Sequence, residues 1–203
     1  MKENTNYYKI LKMFEENYGY ITREDTDEAN IPSWFLSDFV KKKNLNKIAP
    51  GFYASDDFAL DEYYILQKRY PKFIFSGMSA LYLHRLTDKI PAEMCVSAPQ
   101  GYNPTRNKID SLSIRRISSP EILNLGISTV DTMFGNKVQT YDEERTICDL
   151  IKYRDKYDSE TFVKAVKTYA KGKPNQGKLF KYAKTMKIEK KVFDVMEVVM
   201  NES

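Results

Sequence analysis

The side chains of this 203-residue chain that could do chemistry are mainly lysines on predicted helices. Lys41 and Lys42 close a predicted helix that begins near Ser33, and Lys47 follows it. Two more sets recur every three or four positions on later predicted helices, so that each set lies along one helix face: Lys164, Lys167, Lys171 and Lys178, Lys181, Lys184. Because lysines attract phosphate oxygens in a salt-dependent manner, this pattern predicts binding to an anionic partner.

The uneven distribution of charge supports that prediction. The chain carries +4 overall, but residues 151–191 hold 13 Lys/Arg against four Asp/Glu, a net charge of +9. Residues 1–150 sum to −2 and residues 192–203 to −3. A solvated lysine face is the ordinary explanation of such a block. Like charges at helical spacing repel, however, which favours a compensating partner: DNA, RNA or an acidic protein.

The elements around the first lysines follow the order of a winged helix-turn-helix. A helix from Asn6 is stopped by Gly19, and Thr22 caps a short second helix. A third helix runs through Lys43, and two strand-like pieces surround the turn Pro50–Gly51. This order predicts that the third helix is a recognition helix and that the hairpin is a wing.

The third helix has two faces. Its predicted inner face holds Leu36, Phe39 and Val40, and Leu45 follows. The candidate DNA contacts lie on the other face and on the wing: Ser33, Trp34, Ser37, Lys41, Lys42 and Lys47. Serine hydroxyls can bond base edges or phosphates, whereas lysines supply phosphate attraction. Residues 1–53 hold eight basic and eight acidic residues, so protein contact alone is the alternative for this region.

The whole chain is predicted to be α+β. A winged helix-turn-helix over residues 1–55 precedes an α+β domain over 56–203, with a small sheet and a helical C-terminal part; the boundary is expected near Ser55-Asp56-Asp57. Strands are predicted at 72–75, 93–98, 112–117, 126–130 and 138–141. Helices are predicted at about 60–70, from 76–79, and at about 143–157, 159–170, 176–184 and 189–200.

Several classes of protein are excluded by the sequence. His84 is the single histidine, so no His-pair metal site exists, and its place at a predicted helix end favours a local role. Cys95 and Cys148 lie 53 positions apart, fit a reducing cytoplasm and are expected to be small buried residues. The acids at 142–144 begin a helix, where the helix dipole accounts for them. We therefore expect no enzyme, no cofactor and no metal.

No apolar run reaches the length of a membrane span, and residues 1–6 lack the apolar core of a secretory signal. We therefore expect a cytoplasmic protein without membrane contact.

Three segments resemble motifs of one family. The wing sequence IAPGFY at 48–53 is similar to an "rGvY" ending, and SALYLHRLTD at 79–88 is similar to "SAL..HgLTD". ERTICDL at 144–150 is similar to "eRTicDl". Together, in this order over nearly the whole chain, they resemble the AbiEi-type antitoxins of AbiE abortive-infection, or type IV toxin–antitoxin, systems. Pro50 stands where that family commonly has a basic residue, and Arg85 where it commonly has glycine.

The resemblance implies a bacterial repressor that binds inverted repeats in the promoter of its own operon. It also implies neutralisation of a nucleotidyltransferase-like toxin, without a stable complex being required, as part of phage defence. In the family the C-terminal domain is associated with antitoxicity, and its basic surface aids cooperative DNA binding. This gives the lysines of residues 164–184 a candidate purpose. We expect a monomer in solution that binds DNA cooperatively.

Two alternatives remain open. The first is a winged-helix transcriptional regulator whose C-terminal domain senses a signal or binds a protein, with no antitoxin role. The second is an enzyme that modifies the toxin or nucleic acid, although the sequence contains neither a kinase-like glycine loop nor a catalytic Asp motif.

Overall fold

A computed structural model describes residues 5–56, 61–102, 111–172 and 174–201. The chain forms two compact units, Met1–Arg69 and Tyr70–Ser203. This division follows the helix Glu62–Arg69, whereas the sequence placed the boundary before that helix, near residue 56. Tyr64 and Ile65 explain the difference, because both pack on a buried cluster of the first unit. Asp57 of the expected boundary and the expected helix start at residue 60 lie outside the described residues.

The first unit has the element order of a winged helix-turn-helix, as predicted. Its elements are α1 Asn6–Glu16, β1 Tyr20–Thr22, α2 Arg23–Glu28, α3 Ser33–Lys42, β2 Asn46–Ala49, β3 Phe52–Ala54 and α4 Glu62–Arg69. The three strands form an antiparallel sheet in the order β1–β3–β2. The strand β1 was not predicted, because only two residues lie between Gly19 and Thr22, the cap of α2.

Local chemistry fixes how α2 and α3 begin and pack. Thr22 and Asp25 form a reciprocal capping box: Thr22 Oγ1 accepts a hydrogen bond from Asp25 N at 3.1 Å, and Asp25 Oδ2 accepts one from Thr22 N at 2.8 Å. Leu36 and Phe39 of α3 are buried, and Phe39 lies within 5.6 Å of the Phe14 ring, centroid to centroid. The predicted inner face of α3 therefore packs on α1 and α2, and Ile21 of β1 belongs to the same buried cluster.

The second unit contains a five-stranded mixed sheet and most of the helices. Its elements are β4 Ile74–Phe75, α5 Gly77–Leu83, β5 Met94–Pro99, β6 Leu112–Ile117, α6 Pro120–Asn124, β7 Ile127–Asp131, β8 Lys137–Tyr141, α7 Glu143–Lys152, a 3₁₀ turn Arg154–Lys156, α8 Ser159–Lys171, α9 Gln176–Thr185 and α10 Glu189–Asn201. The strand order is β6–β5–β4–β8–β7, with β5–β6 and β4–β8 parallel and the other pairs antiparallel.

The predicted strands and C-terminal helices of the second unit are present, with two differences. Helix α6 was not predicted, and the helix expected over 143–157 ends at Lys152. The packing of α7, α8, α9 and α10 around Leu150, Val166 and Leu179 forms the largest buried cluster. None of the helices in the described part of the chain is both long and apolar enough to cross a lipid bilayer.

The motif ERTICDL places a buried cation at the start of α7. The side chain of Arg145 is 1% exposed, and its Nη1 donates hydrogen bonds to the carbonyl oxygens of Ile122 at 2.6 Å and Leu125 at 2.8 Å. Its guanidinium carbon lies 4.2 Å from the ring centroid of Tyr141. Through these contacts, the arginine of the motif links α6, β8 and α7 of the second unit.

A carboxylate on the same helix balances this cation. Asp149 Oδ2 lies 3.4 Å from Arg145 Nε and 3.2 Å from an Nη of Arg115 on β6, and the Asp149 side chain is 2% exposed. Gly126 also approaches this network: its φ is +76°, and a Cβ there would lie 2.7 Å from Arg145 Cβ. A glycine is required because this backbone packs directly against the buried arginine.

In the described part of the chain, five helices end in the same way, with a left-handed residue directly after the C-cap. These residues are Tyr18, Asn30, Asn44, Arg85 and Lys187, with φ between 51° and 58°. After α5, Leu86 N donates to Leu81 O at 2.8 Å, as in a Schellman motif, which places Arg85 at the position that favours glycine. Arg85 therefore adopts a conformation that glycine would adopt at less cost.

Replacing Arg85 by glycine is expected to stabilise the protein. Non-glycine residues pay about 1 kcal/mol or more for a left-handed conformation, part of which is offset by the greater unfolded-state freedom of glycine. We expect Arg85→Gly to raise the free energy of unfolding in urea by about 0.5–1 kcal/mol. Arg85→Ala is the control, since it removes the same exposed side chain but keeps the strain. Equal stabilities of the two variants would contradict the explanation.

Candidate nucleic-acid interface

The exposed face of α3 carries five of the six predicted DNA contacts. Ser33, Trp34, Ser37, Lys41 and Lys42 are all exposed, while the opposite face is buried in the core of the first unit. Ser33, Ser37 and Lys41 follow one another at four-residue spacing, so they line one ridge of the helix. Ser37 Oγ donates to Ser33 O at 3.2 Å, and the hydroxyl can rotate to bond a ligand instead.

The two lysines of α3 differ in their surroundings. Lys42 Nζ lies 2.7 Å from Asp38 Oδ2 and 5.5 Å from the ring centroid of Tyr7. The hydrogen bond with Asp38 raises the pKa of Lys42, so this side chain stays charged across the physiological range. Lys41 is exposed and has no ion-pair partner among the described residues. A phosphate can therefore approach Lys41 directly, whereas at Lys42 it must displace the solvent-exposed carboxylate of Asp38.

Trp34 presents an aromatic surface at the start of α3. Its side chain is 60% exposed, and it stacks on Phe35 with ring centroids 3.6 Å apart and planes at 25°. The stacking restrains the indole at the protein surface. Such a large exposed aromatic next to two serines suits contact with a partner better than it suits solvation.

The wing carries the sixth predicted contact. Lys47 lies on β2, is exposed, and pairs in register with Tyr53 of β3. The turn between these strands contains Pro50 and Gly51, and the φ of +73° at Gly51 favours glycine. All six predicted DNA contacts thus belong to the first unit, on the consecutive elements α3 and β2.

The predicted lysine faces of α8 and α9 are exposed for most of their length. Lys164, Lys167 and Lys171 are exposed on α8, and Lys181 and Lys184 are exposed on α9. The ammonium group of Lys164 forms an ion pair with Asp88, which is itself 84% exposed. The ion pair of Lys164 is therefore fully accessible to solvent and to competing anions.

Lys178 differs from the other lysines of α9 because acids of α7 hold it. Its Nζ lies 3.1 Å from both Asp142 Oδ2 and Glu144 Oε2. Partial burial acts to lower the pKa of Lys178, but the hydrogen bonds with the two carboxylates outweigh it, so the pKa lies above its ordinary value. The hydroxyl of Tyr182 donates to the same Asp142 oxygen at 3.1 Å.

These contacts between α7 and α9 were not predicted from the sequence. The acids at 142–144 were interpreted through the helix dipole alone, and Asp142 does cap α7 by accepting a hydrogen bond from Arg145 N at 2.8 Å. Their second role depends on side chains more than thirty positions away in α9, and no local pattern indicates it. Lys178 is thus engaged within the protein, and the open cationic surface begins at Lys181.

The other residues whose side chains could take part in chemistry are His84, Cys95 and Cys148. His84 is the C-cap of α5, and its Nε2 lies 2.6 Å from the carbonyl oxygen of Tyr141. Cys148 is fully buried, and burial raises its pKa to about 12, while Cys95 is half-buried. In the described ranges, no three His, Cys, Asp or Glu side chains gather in a way that could hold a metal ion.

Comparison with known proteins identifies the fold alone. No family model matches the sequence, and no curated protein matches it. Three solved chains are similar, among them the crystal structure of the RV2827C protein from Mycobacterium tuberculosis. That likeness has a TM-score of 0.55 and 12% sequence identity, and it covers 89% of this chain and 72% of the other.

The structural role of Lys178 predicts a loss of stability that its neighbour Lys181 does not share. Lys178→Ala leaves two largely buried carboxylates facing each other, and we expect the free energy of unfolding to fall by about 1–2 kcal/mol. Lys181→Ala removes the same charge from the exposed face of α9 and should change it by less than about 0.5 kcal/mol. Urea unfolding monitored by circular dichroism measures both.

The pH dependence follows from the raised pKa of Lys178. A lysine whose folded-state pKa is raised stabilises the fold fully below its unfolded pKa of about 10.4, and that contribution is lost only as pH rises through the folded value. The difference between Lys178→Ala and the wild type should therefore be constant from pH 7 to about pH 10. Equal stability of the Lys178→Ala and Lys181→Ala variants at neutral pH would contradict the assignment.

Proposed function

We propose that this protein is a DNA-binding antitoxin that represses its own operon. The observation that carries the DNA-binding part is the two-faced helix α3: Leu36 and Phe39 anchor it in the core, and its other face exposes serines, a tryptophan and lysines. A helix presented in this way fits the major groove, where the serines would meet base edges or phosphates and the lysines phosphates. Lys47 on the wing would contact the neighbouring backbone.

The antitoxin part is supported by the resemblance of three segments to AbiEi-type proteins. In the structure those segments occupy the β2–β3 turn, α5 with its left-handed end, and the start of α7. The partner proposed on this basis is a nucleotidyltransferase-like toxin, neutralised in the cytoplasm without a stable complex. The protein would bind the inverted repeats of its promoter cooperatively, as a monomer in solution.

The lysines of α8 and α9 supply the second function in this proposal. Lys164, Lys167, Lys171, Lys181 and Lys184 are exposed, and together they offer an anion-attracting surface outside the first unit. Lys178 contributes to that surface by fixing α9 on α7 rather than by contacting a partner. Neutralisation in this proposal needs no enzymatic step.

Substitution of both lysines on α3 tests the recognition helix. Lys41→Ala/Lys42→Ala should weaken binding to a duplex carrying the promoter of the chain's own operon. Each lost phosphate contact should lower the slope of log affinity against log salt by about 0.9, and fluorescence anisotropy at several salt concentrations measures it. The control is Lys9→Ala/Lys12→Ala, which removes the same charge from exposed positions of α1. Equal slopes for the two double variants would show that α3 does not read the DNA.

Co-expression tests the antitoxin role. The full chain should restore growth of cells in which expression of the toxin proposed here, encoded beside this chain, arrests growth. The Lys41→Ala/Lys42→Ala variant, supplied from a promoter that it does not control, should restore growth equally, because neutralisation is assigned to the second unit. Growth arrest that persists with the wild-type chain, together with intact promoter binding, would instead identify a transcriptional regulator without an antitoxin role.

A further inference from the structure

We propose that Arg23 and Lys68 form a second phosphate-binding position beside the wing, and this inference rests on the proposed DNA binding. A groove of about 190 Å³ lies within the first unit between residues 22–24, the turn 49–52 and Lys68 of α4. Its two cations come from elements that do not contain any of the predicted DNA contacts. The chemistry of the groove fits a phosphodiester group of the duplex.

The backbone fixes Arg23 directly against the wing. Arg23 N donates to Gly51 O at 2.7 Å, and a Cβ on Gly51 would lie 3.0 Å from Arg23 Cβ. The turn therefore packs on the first carbons of the arginine side chain. Pro50 of the same turn carries no charge, so Arg23 supplies the cation at this end of the hairpin.

The guanidinium of Arg23 retains donors for a ligand. Its side chain is 52% exposed, and both of its contacts with Asp27 are made through Nε, at 2.8 and 3.0 Å. Its two Nη groups have no hydrogen-bond partner among the residues that the structure describes. A guanidinium edge with free donors matches two phosphate oxygens at once.

Lys68 faces the groove from α4. Its ammonium group pairs with Glu24, and its side chain is 31% exposed. The carboxylates of Glu24 and Asp27 are exposed, and ion pairs at the protein surface contribute only about 0–1 kcal/mol, so a phosphate can replace these carboxylates at little cost. Arg23 and Lys68 are thus positioned by Asp27 and Glu24, and each can exchange its carboxylate partner for a phosphate.

The charges of Arg23 and Lys68 and of their two carboxylate partners cancel, and this determines when the groove contributes to binding. Arg23 and Lys68 balance Glu24 and Asp27, so the groove exerts little attraction on DNA at a distance. It contributes once α3 has brought the duplex close. We therefore expect the groove to slow dissociation rather than to speed association.

The test compares two variants that make the same change on different helices. Arg23→Gln and Lys12→Gln each remove one positive charge and one i,i+4 ion pair, with Asp27 and with Glu16 respectively. With the promoter duplex as probe, Arg23→Gln should weaken binding several-fold, chiefly through faster dissociation, and lower the salt slope by about 0.9. Lys12→Gln should leave the slope unchanged. Arg23→Lys, which keeps the charge, should retain the slope.

The carboxylate partners provide the converse test. Asp27→Asn releases Arg23 and should tighten binding more than Glu16→Gln, which changes the net charge equally on α1. Thermal unfolding monitored by circular dichroism confirms that each variant is folded.

The outcomes separate this inference from the proposed function. If wild-type protein binds the promoter duplex but Arg23→Gln and Lys12→Gln behave alike, Arg23 does not contact phosphate, although the recognition helix stands. If wild-type protein does not distinguish the promoter duplex from one of scrambled sequence, the proposed repressor function fails as well. A loss of salt slope that is specific to Arg23→Gln supports the second phosphate position.

Discussion

Burying the guanidinium of Arg145 costs free energy unless other groups compensate its charge and its donors, and several elements of the second unit contribute to that compensation. Two backbone carbonyls at α6 and just after it accept its hydrogen bonds, the ring of Tyr141 lies against it, and Asp149 balances its charge from the next turn of α7. Arg115 approaches the same carboxylate from β6. The positions of the sheet edge, α6 and α7 therefore depend on one another. The ERTICDL motif thus links α7 to α6, β6 and β8 of the second unit.

This constraint extends to the lysine-rich helices. Asp142, which caps α7 next to the buried arginine, also binds Lys178 and Tyr182 of α9. The same acid thus fixes the start of one helix and the orientation of another. Because these contacts and the burial of Leu179 fix the position of α9, they also fix the backbone that carries its exposed lysines. A backbone that is already in position lowers the entropy that a partner's binding must overcome.

Amphipathic periodicity was enough to predict α3, since Leu36 and Phe39 mark its buried face, and alternation was enough to predict β6. The three-residue β1 and the five-residue α6 were beyond such reasoning, because periodicity needs more residues than either contains. Arg85 shows a different limit. Its departure from the glycine of a motif that this segment resembles was visible in the sequence, but its left-handed conformation was not. The pairing of Lys178 with Asp142 and Glu144 depends on tertiary packing that no local pattern encodes.

A partner that binds the helices of residues 151–191 meets less positive charge than the sum over this segment indicates. Its +9 includes Lys164 and Lys178, whose acidic partners Asp88, Asp142 and Glu144 lie earlier in the chain. Lys164 can leave its exposed partner, whereas Lys178 cannot do so without exposing two largely buried carboxylates. The field that reaches solvent from these helices is therefore set mainly by their exposed lysines, to which Lys178 does not belong. In the first unit the opposite holds: the net charge of residues 1–53 is zero, yet α3 and its wing present lysines locally. Screening confines each of these fields to about 8–10 Å, so the local surface, and not the sum over a segment, decides where an anionic partner binds.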